Sequence, residues 1–151
     1  MDSIDQRIIS CLVAHARSSY AEIGSVVGLS APAVKRRVDR LLEQGVLRGF
    51  TAVVDPEALG WGTEAFVEVR CRGNVAPSRI TASLEPLAEV VGAYTVSGAA
   101  DAIVRLRAAS IHHLETALER LRALDIVDRT VSTVVLSTLL ERPPAPDPGR
   151  P

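Results

Sequence analysis

The side chains of this sequence best able to do chemistry lie close together. Within residues 30–49 the cations Lys35, Arg36, Arg37, Arg40 and Arg48 face only Asp39 and Glu43, a local net charge of +3, and Lys35 is the only lysine of the chain. Such a cluster can neutralise phosphate oxygens, and arginine and lysine can donate to base edges. On charge alone the stretch would be a solvated helix face, so the decision falls to the elements around it. Elsewhere reactive chemistry is sparse. The only histidines are His15, His112 and His113, and adjacent residues on a helix point about 100° apart, so His112 and His113 make a poor metal-binding face. Cys11 and Cys71 form no CxxC pair and read as small buried hydrophobes. There is no GxGxxG, GxxxxGK[ST] or GxSxG, and no carboxylate pair whose spacing singles it out for acid/base work. The sequence therefore predicts no enzyme, no metal and no cofactor. The competing reading, a small catalytic domain depending on a carboxylate such as Asp101, predicts turnover where a binding protein predicts none.

Composition is that of an ordinary globular chain: 151 residues, 47% hydrophobic, 23% charged, net charge -1. That length buries enough surface for one full domain or two small ones. No apolar run approaches the roughly 18 residues of a membrane span, and the start, Met1-Asp2-Ser3-Ile4-Asp5, is too acidic and polar for a secretory signal. The expected compartment is the cytoplasm.

The N-terminal third reads as three helices followed by a short β element. Ile4, Ile8, Cys11 and Leu12 recur at three- and four-residue spacing and make an apolar stripe on a first helix over residues 2–16. Ser18 or Ser19 can cap a second helix, residues 20–27, which directs Ile23, Val26 and Val27 to one side and ends at Gly28. After the tight turn Gly28-Leu29-Ser30, Ser30 is expected to cap a third helix, with Pro32 early enough in its first turn to be tolerated. Val34, Val38, Leu41 and Leu42 face inward, while Arg36, Asp39, Arg40 and Glu43 fall opposite, with Lys35 and Arg37 on the flanks. Two helices joined by a short glycine-containing turn, the second one basic, form the helix-turn-helix pattern, whose second helix enters the major groove. Gly24 would let the pair approach closely. A plain helical corner with a basic surface is the bland alternative, and the coincidence of cap, turn glycine and charge argues against it. Residues 46–54 read as a short β element, making a winged arrangement.

Residues 55–62 carry turn formers without a strong period and read as a linker. Beyond them the period changes to two: Ala65, Val67, Val69 and Cys71 alternate with Phe66, Glu68, Arg70 and Arg72. Strands over 90–97, 101–107 and 127–139 and helices over 77–87 and 110–124 complete the order βαββαβ, which folds into a split βαβ, ferredoxin-like sheet with both helices on one face. The other face, bearing Phe66 and Ile103, would be an apolar patch that monomers rarely tolerate, and a symmetric homodimer would cover it. Residues 142–151 are proline-rich and read as disordered.

Taken together, Asp5-Gln6-Arg7-Ile8-Ile9, Gly28-Leu29-Ser30, Val34-Lys35-Arg36-Arg37-Val38-Asp39-Arg40-Leu41, Glu43-Gln44-Gly45-Val46-Leu47-Arg48-Gly49-Phe50 and Val53-Val54-Asp55-Pro56-Glu57-Ala58-Leu59-Gly60 resemble the Lrp/AsnC (feast/famine) transcriptional regulators over residues 2–140. The resemblance implies an α+β protein: a winged helix-turn-helix DNA-binding domain over 1–53, a hinge over 54–63, a ferredoxin-like (RAM-type) effector-binding and oligomerisation domain over 64–140, and a tail over 141–151. It also implies double-stranded DNA as partner, dimers that assemble into tetramers or octamers, and a response to an amino acid or related small molecule. An architectural DNA-wrapping protein without an effector would use the same head.

Roles follow residue by residue. In the head, DNA contacts are expected from Ser30, Pro32, Ala33, Lys35, Arg36, Arg37, Arg40 and Arg48, with Lys35 and Arg36 reading bases and Arg37, Arg40 and Arg48 gripping phosphates. Asp39 and Glu43 are candidates to pair with neighbouring arginines. The turn Gly98-Ala99-Ala100-Asp101 resembles the family's Gly-x-x-Asp loop beside an intersubunit ligand pocket, where Asp101 could receive an ammonium group. Its plainer reading is that Gly98 turns the chain and Asp101 satisfies loop N–H groups. Ser132, in Arg129-Thr130-Val131-Ser132, is a further pocket candidate. The doublet Ala99-Ala100 and the sequence Leu124-Asp125-Ile126-Val127 depart from the family pattern.

Overall fold

The computed structural model describes residues 1–141, and the proline-rich stretch expected to be disordered lies outside the described residues. The chain divides into two compact units, one over Met1–Ala52 and one over Val53–Leu139.

In the first unit, helices α1 (Ser3–Ala14), α2 (Tyr20–Val27) and α3 (Ala31–Glu43) enclose Ile8, Leu12, Ile23, Val27, Val34 and Val38. Each such aliphatic side chain contributes roughly 1.5–3 kcal/mol when fully buried. The helix starts are fixed by side chains. Asp2 and Asp5 form a reciprocal capping box on α1, and Ser19 and Glu22 form one on α2. Gly28 ends α2 in the left-handed conformation, φ 76°, which only glycine adopts without strain. Two expectations fail here. Ser30 stands at the N-cap of α3, but its side chain makes no capping hydrogen bond. Pro32, at the second helical position, removes one of the N–H groups a capping hydroxyl would accept from. The expected β element over residues 46–54 is absent. Its apolar residues have no partner strand within the unit, and Phe50 and Val53 remain 51% and 99% exposed. The stretch is tied back by Leu47, whose N–H donates to the Leu41 carbonyl at 3.0 Å and whose partly buried side chain packs on the core of the unit.

In the second unit a single 3-10 turn, Glu57–Leu59, interrupts the linker. Strands β1 (Thr63–Cys71), β2 (Val90–Thr95), β3 (Ala102–Ala108) and β4 (Val127–Val134) pair in the order β2-β3-β1-β4, every neighbour antiparallel. This is the expected split βαβ sheet, and α4 (Pro77–Leu84) and α5 (Ile111–Arg122) cover one face. Between them lie Ala65, Val67, Val69, Val104, Leu106, Ile80, Leu84, Leu114 and Leu121. Helix α4 is shorter than expected: Glu85 still has helical geometry and donates its N–H to the Thr81 carbonyl, but Pro86 has no N–H to continue the ladder. Strand β4 stops at Val134, five residues early, and beyond it only the Val135 N–H reaches β1, at the Glu64 carbonyl.

Candidate functional site

The basic face of α3 is less free than its sequence suggests. Arg37 Nη1 donates to Asp2 Oδ2 at 2.7 Å and to Asp5 Oδ1 at 2.8 Å, and Arg40 Nη2 donates to both Asp5 oxygens at 3.0 and 2.9 Å. Asp5 is 1% exposed. Burial alone would raise its pKa, but the Asp2 backbone N–H and the two guanidinium groups outweigh burial and hold its carboxyl below the usual range. Lys35 Nζ donates to Asp39 Oδ2 at 2.6 Å across one helical turn, so Asp39 pairs with the lysine rather than with an arginine. Among the described residues Arg36 and Arg48 have no side-chain partner and are exposed. Ser30 and Pro32 are exposed and Ala33 half-buried at the start of α3, on the same stretch as Lys35 and Arg36.

Gly24 explains how α2 and α3 are joined so tightly. A Cβ at this position would lie 2.4 Å from the Leu29 carbonyl oxygen, a distance no side chain tolerates. Sequence reading missed Asp2 and Asp5 as partners of α3. The available signal was a carboxylate beside the Ile4–Ile8 stripe, since a charge on an apolar face requires a buried partner.

In the second unit Gly98 has φ 138°, and the turn it opens is held by Asp101. The Asp101 N–H donates to the Val69 carbonyl at 2.9 Å, and its Oδ2 accepts the Cys71 N–H at 2.7 Å. The plainer of the two roles read for Asp101 therefore has a geometric basis, with Oδ1 left over. Ala99 and Ala100 line an open pocket on the sheet face away from the helices, together with Glu68, Arg70, Arg129 and Val131. Arg70 and Arg129 are directly opposite in the β1–β4 register, and neither has a side-chain partner among the described residues. Ser132 is not part of this pocket. It pairs with Val67, whose side chain is in the core, so Ser132 points to the helix-covered face. There its Oγ is buried without a hydrogen-bond partner.

The uncovered sheet face is amphipathic. Phe66, Tyr94 and Val131 are 39%, 57% and 52% exposed. Glu64 accepts from Arg105 at 2.9 Å and from Arg107 at 2.8 Å, and Arg105 lies over the Phe66 ring. Burial pushes the Glu64 pKa up, and these two arginines push it down further.

Glu89 anchors a separate, partly buried cluster beside α5. His113 Nδ1 accepts the Ala109 N–H at 3.2 Å, which leaves Nε2 to donate to Glu89 Oε1 at 2.8 Å. Arg120 also donates to that oxygen, and Trp61 packs on the imidazole with ring centroids 6.1 Å apart. Burial raises the pKa of the Cys71 thiol, which keeps it un-ionised and unreactive. Among the described residues no group of three His, Cys, Asp or Glu side chains is arranged to hold a metal, and no helix is long and apolar enough to cross a membrane.

A helix-turn-helix unit joined to a split βαβ sheet with one bare face defines a two-domain DNA-binding regulator. The AsnC-type helix-turn-helix domain matches residues 1–42 and the Lrp/AsnC ligand binding domain matches residues 64–145. The HTH-type transcriptional regulator Rv2324 of Mycobacterium tuberculosis is 54% identical over 144 residues, spanning 95% of this chain and 97% of that protein. Among solved structures, the feast or famine regulatory protein Rv3291c of M. tuberculosis, complexed with L-methionine, superposes with a TM-score of 0.86 at 36% identity, covering 93% of this chain and 95% of that one. E. coli AsnC superposes with a TM-score of 0.87 at 26% identity, covering 95% and 97%. The chain belongs to the Lrp/AsnC family of transcriptional regulators.

Proposed function

We propose that this regulator binds specific double-stranded DNA through residues 1–53 and that an amino acid or related small molecule, bound through residues 64–140, alters its DNA affinity or oligomeric state. Residues 54–63 are the hinge between the two. On this reading Lys35 and Arg36 read base edges, and Arg48 and the outer edge of Arg40 meet phosphates.

The observation that carries the effector half is the pairing of Arg70 with Arg129. Like charges directly opposite on a sheet repel, and among the described residues no side chain pairs with either. An α-carboxylate would. Glu68, on the same pocket wall, offers a partner for an α-ammonium group, so the lining suits a zwitterion better than a simple anion. The methionine complex of Rv3291c supports an amino acid as the class to test first.

The bare face with Phe66, Ile103, Tyr94 and Val131 supports a second copy of the chain as its cover. Further assembly into tetramers or octamers follows the family pattern, and the cytoplasm is the compartment in which such a protein meets DNA. Calorimetric titration with single amino acids tests the pocket. Binding of at least one that is lost in Arg129→Ala supports the reading, whereas no binding by any of the twenty contradicts an amino acid as the ligand.

A further inference from the structure

We propose that Asp5, on the first helix and outside the reading helix, is a positioning residue for DNA recognition. This rests on the DNA-binding reading above. Helix α3 is attached to its unit in two ways. Val34, Val38 and Leu41 hold it through apolar packing, which resists separation but is non-directional. The other attachment is directional. The Asp5 carboxylate accepts from the Asp2 N–H, from Arg37 Nη1 and twice from Arg40 Nη2, at 2.8 to 3.0 Å. These four bonds fill the roughly four acceptor sites of a carboxylate. Asp2 adds a second bond to the same Arg37 nitrogen at 2.7 Å.

This clamp fixes the rotation of α3 about its own axis. Arg36 is adjacent to Arg37, and side-chain tips lie about 5–6 Å from a helix axis, so a rotation of about 10° displaces them by roughly 1 Å. Base-edge hydrogen bonds weaken steeply over such a displacement, whereas phosphate attraction barely changes. The clamp also removes charge. Arg37 is a strut committed to two carboxylates rather than a phosphate contact, and its side chain is only 23% exposed. Arg40 is half a bracket: one nitrogen is held by Asp5 and 47% of the side chain is exposed.

The test uses the full chain, the duplex it enriches from a random-sequence pool, and the unselected pool. Affinities for both are measured at several salt concentrations for the parent and for Asp5→Asn, which keeps the shape but not the charge. The expected result is a loss of preference on the order of tenfold, comparable to one mismatched base pair. Affinity for the pool rises and its salt dependence steepens, because Arg40 is released toward phosphates and Arg37 keeps only Asp2. If both affinities fall by one factor with an unchanged salt slope, Asp5 serves folding only and the inference is overturned. Should Asp5→Asn show no thermal transition, Asp2→Asn opens the exposed half of the clamp and is read by the same two quantities. A parent that enriches no sequence overturns the DNA-binding reading and this inference with it. A discriminating parent whose variants keep its preference overturns the inference alone.

Discussion

Asp101 Oδ2 accepts the backbone N–H of Cys71 at 2.7 Å, just where the β1–β4 register slips between Arg70 and Cys71. The β1–β3 ladder ends at Val69 and Ala102, and the Asp101 side chain takes over from it. Together with the Asp101 N–H donated to the Val69 carbonyl at 2.9 Å, this hydrogen bond ties the turn carrying Ala99 and Ala100 to the strand end carrying Arg70. Asp101→Ala is expected to cost about 1 kcal/mol, the usual net value of such a bond. It should weaken effector binding by more than the fall in stability accounts for, since it loosens the tie between the two sides of the pocket while the Asp101 N–H still reaches the Val69 carbonyl. Thermal melts paired with calorimetric titration check this, and unchanged ligand affinity would remove Asp101 from the account.

Gly24→Ala places a methyl group 2.4 Å from the Leu29 carbonyl oxygen. Backbone must move, which costs roughly 1–3 kcal/mol or more. DNA binding should fall with the stability of the head, while the oligomeric state, which we assign to the sheet domain, should be unaffected. Urea unfolding and sedimentation of the same sample separate the two effects.

Arg36 and Arg48 are the unpaired cations on and just after α3, and they should behave differently. Arg36→Ala is expected to cost roughly 1–3 kcal/mol on the preferred duplex and to relax preference at one base step. Arg48→Ala should weaken all sequences about equally and lower the salt slope by about 1, whereas Arg40→Ala also opens the Asp5 clamp and should lower preference as well. Competition binding against single-base variants of the preferred duplex distinguishes these patterns.

Asp5, Glu64 and Glu89 are each held below the usual carboxylate range by hydrogen bonds that outweigh burial. A carboxyl group with a lowered folded pKa adds stability above its unfolded value, about 4, and loses it as pH falls through the folded value. The melting temperature should therefore be flat from about pH 7 to 5 and drop below about 4, with a shallower drop in Glu64→Gln. A melting temperature that rises on acidification would contradict the assignment.

Much of this architecture was legible because local chemistry and tertiary packing agree. The Ser19 cap, Gly28 in the left-handed conformation and the inward run Val34, Val38 and Leu41 each specify one step of the helix-turn-helix. The period-two run from Ala65 to Cys71 likewise names the buried face of β1. What was not legible depends on register and on distant partners. Ser132 lands on the covered face because it pairs with Val67, and a one-residue slip would have turned it to the pocket. The pairing of Arg70 with Arg129 is set by the same register. The residues 46–54 are rich in strand-forming valine, phenylalanine and threonine, yet a strand also requires a neighbour, which no local pattern supplies. Asp2 and Asp5 reach Arg37 and Arg40 across more than thirty positions, a distance at which spacing carries no signal.

The sheet face offers its own test. Phe66→Glu puts a second carboxylate beside Glu64 on the surface assigned to the partner copy, so sedimentation should show the parent as dimer or larger and the variant shifted toward monomer. A parent that sediments as monomer at micromolar concentration would contradict the covered-face reading.

The most direct measurement is sedimentation of the protein with fluorescent duplex DNA from the region upstream of its own gene, with and without the twenty amino acids. The account predicts a complex at low salt whose affinity or size shifts with the amino acids, by about 5- to 150-fold if expressed as affinity. A complex indifferent to the amino acids would contradict the effector assignment and favour an architectural role. No complex at low salt would contradict the account as a whole.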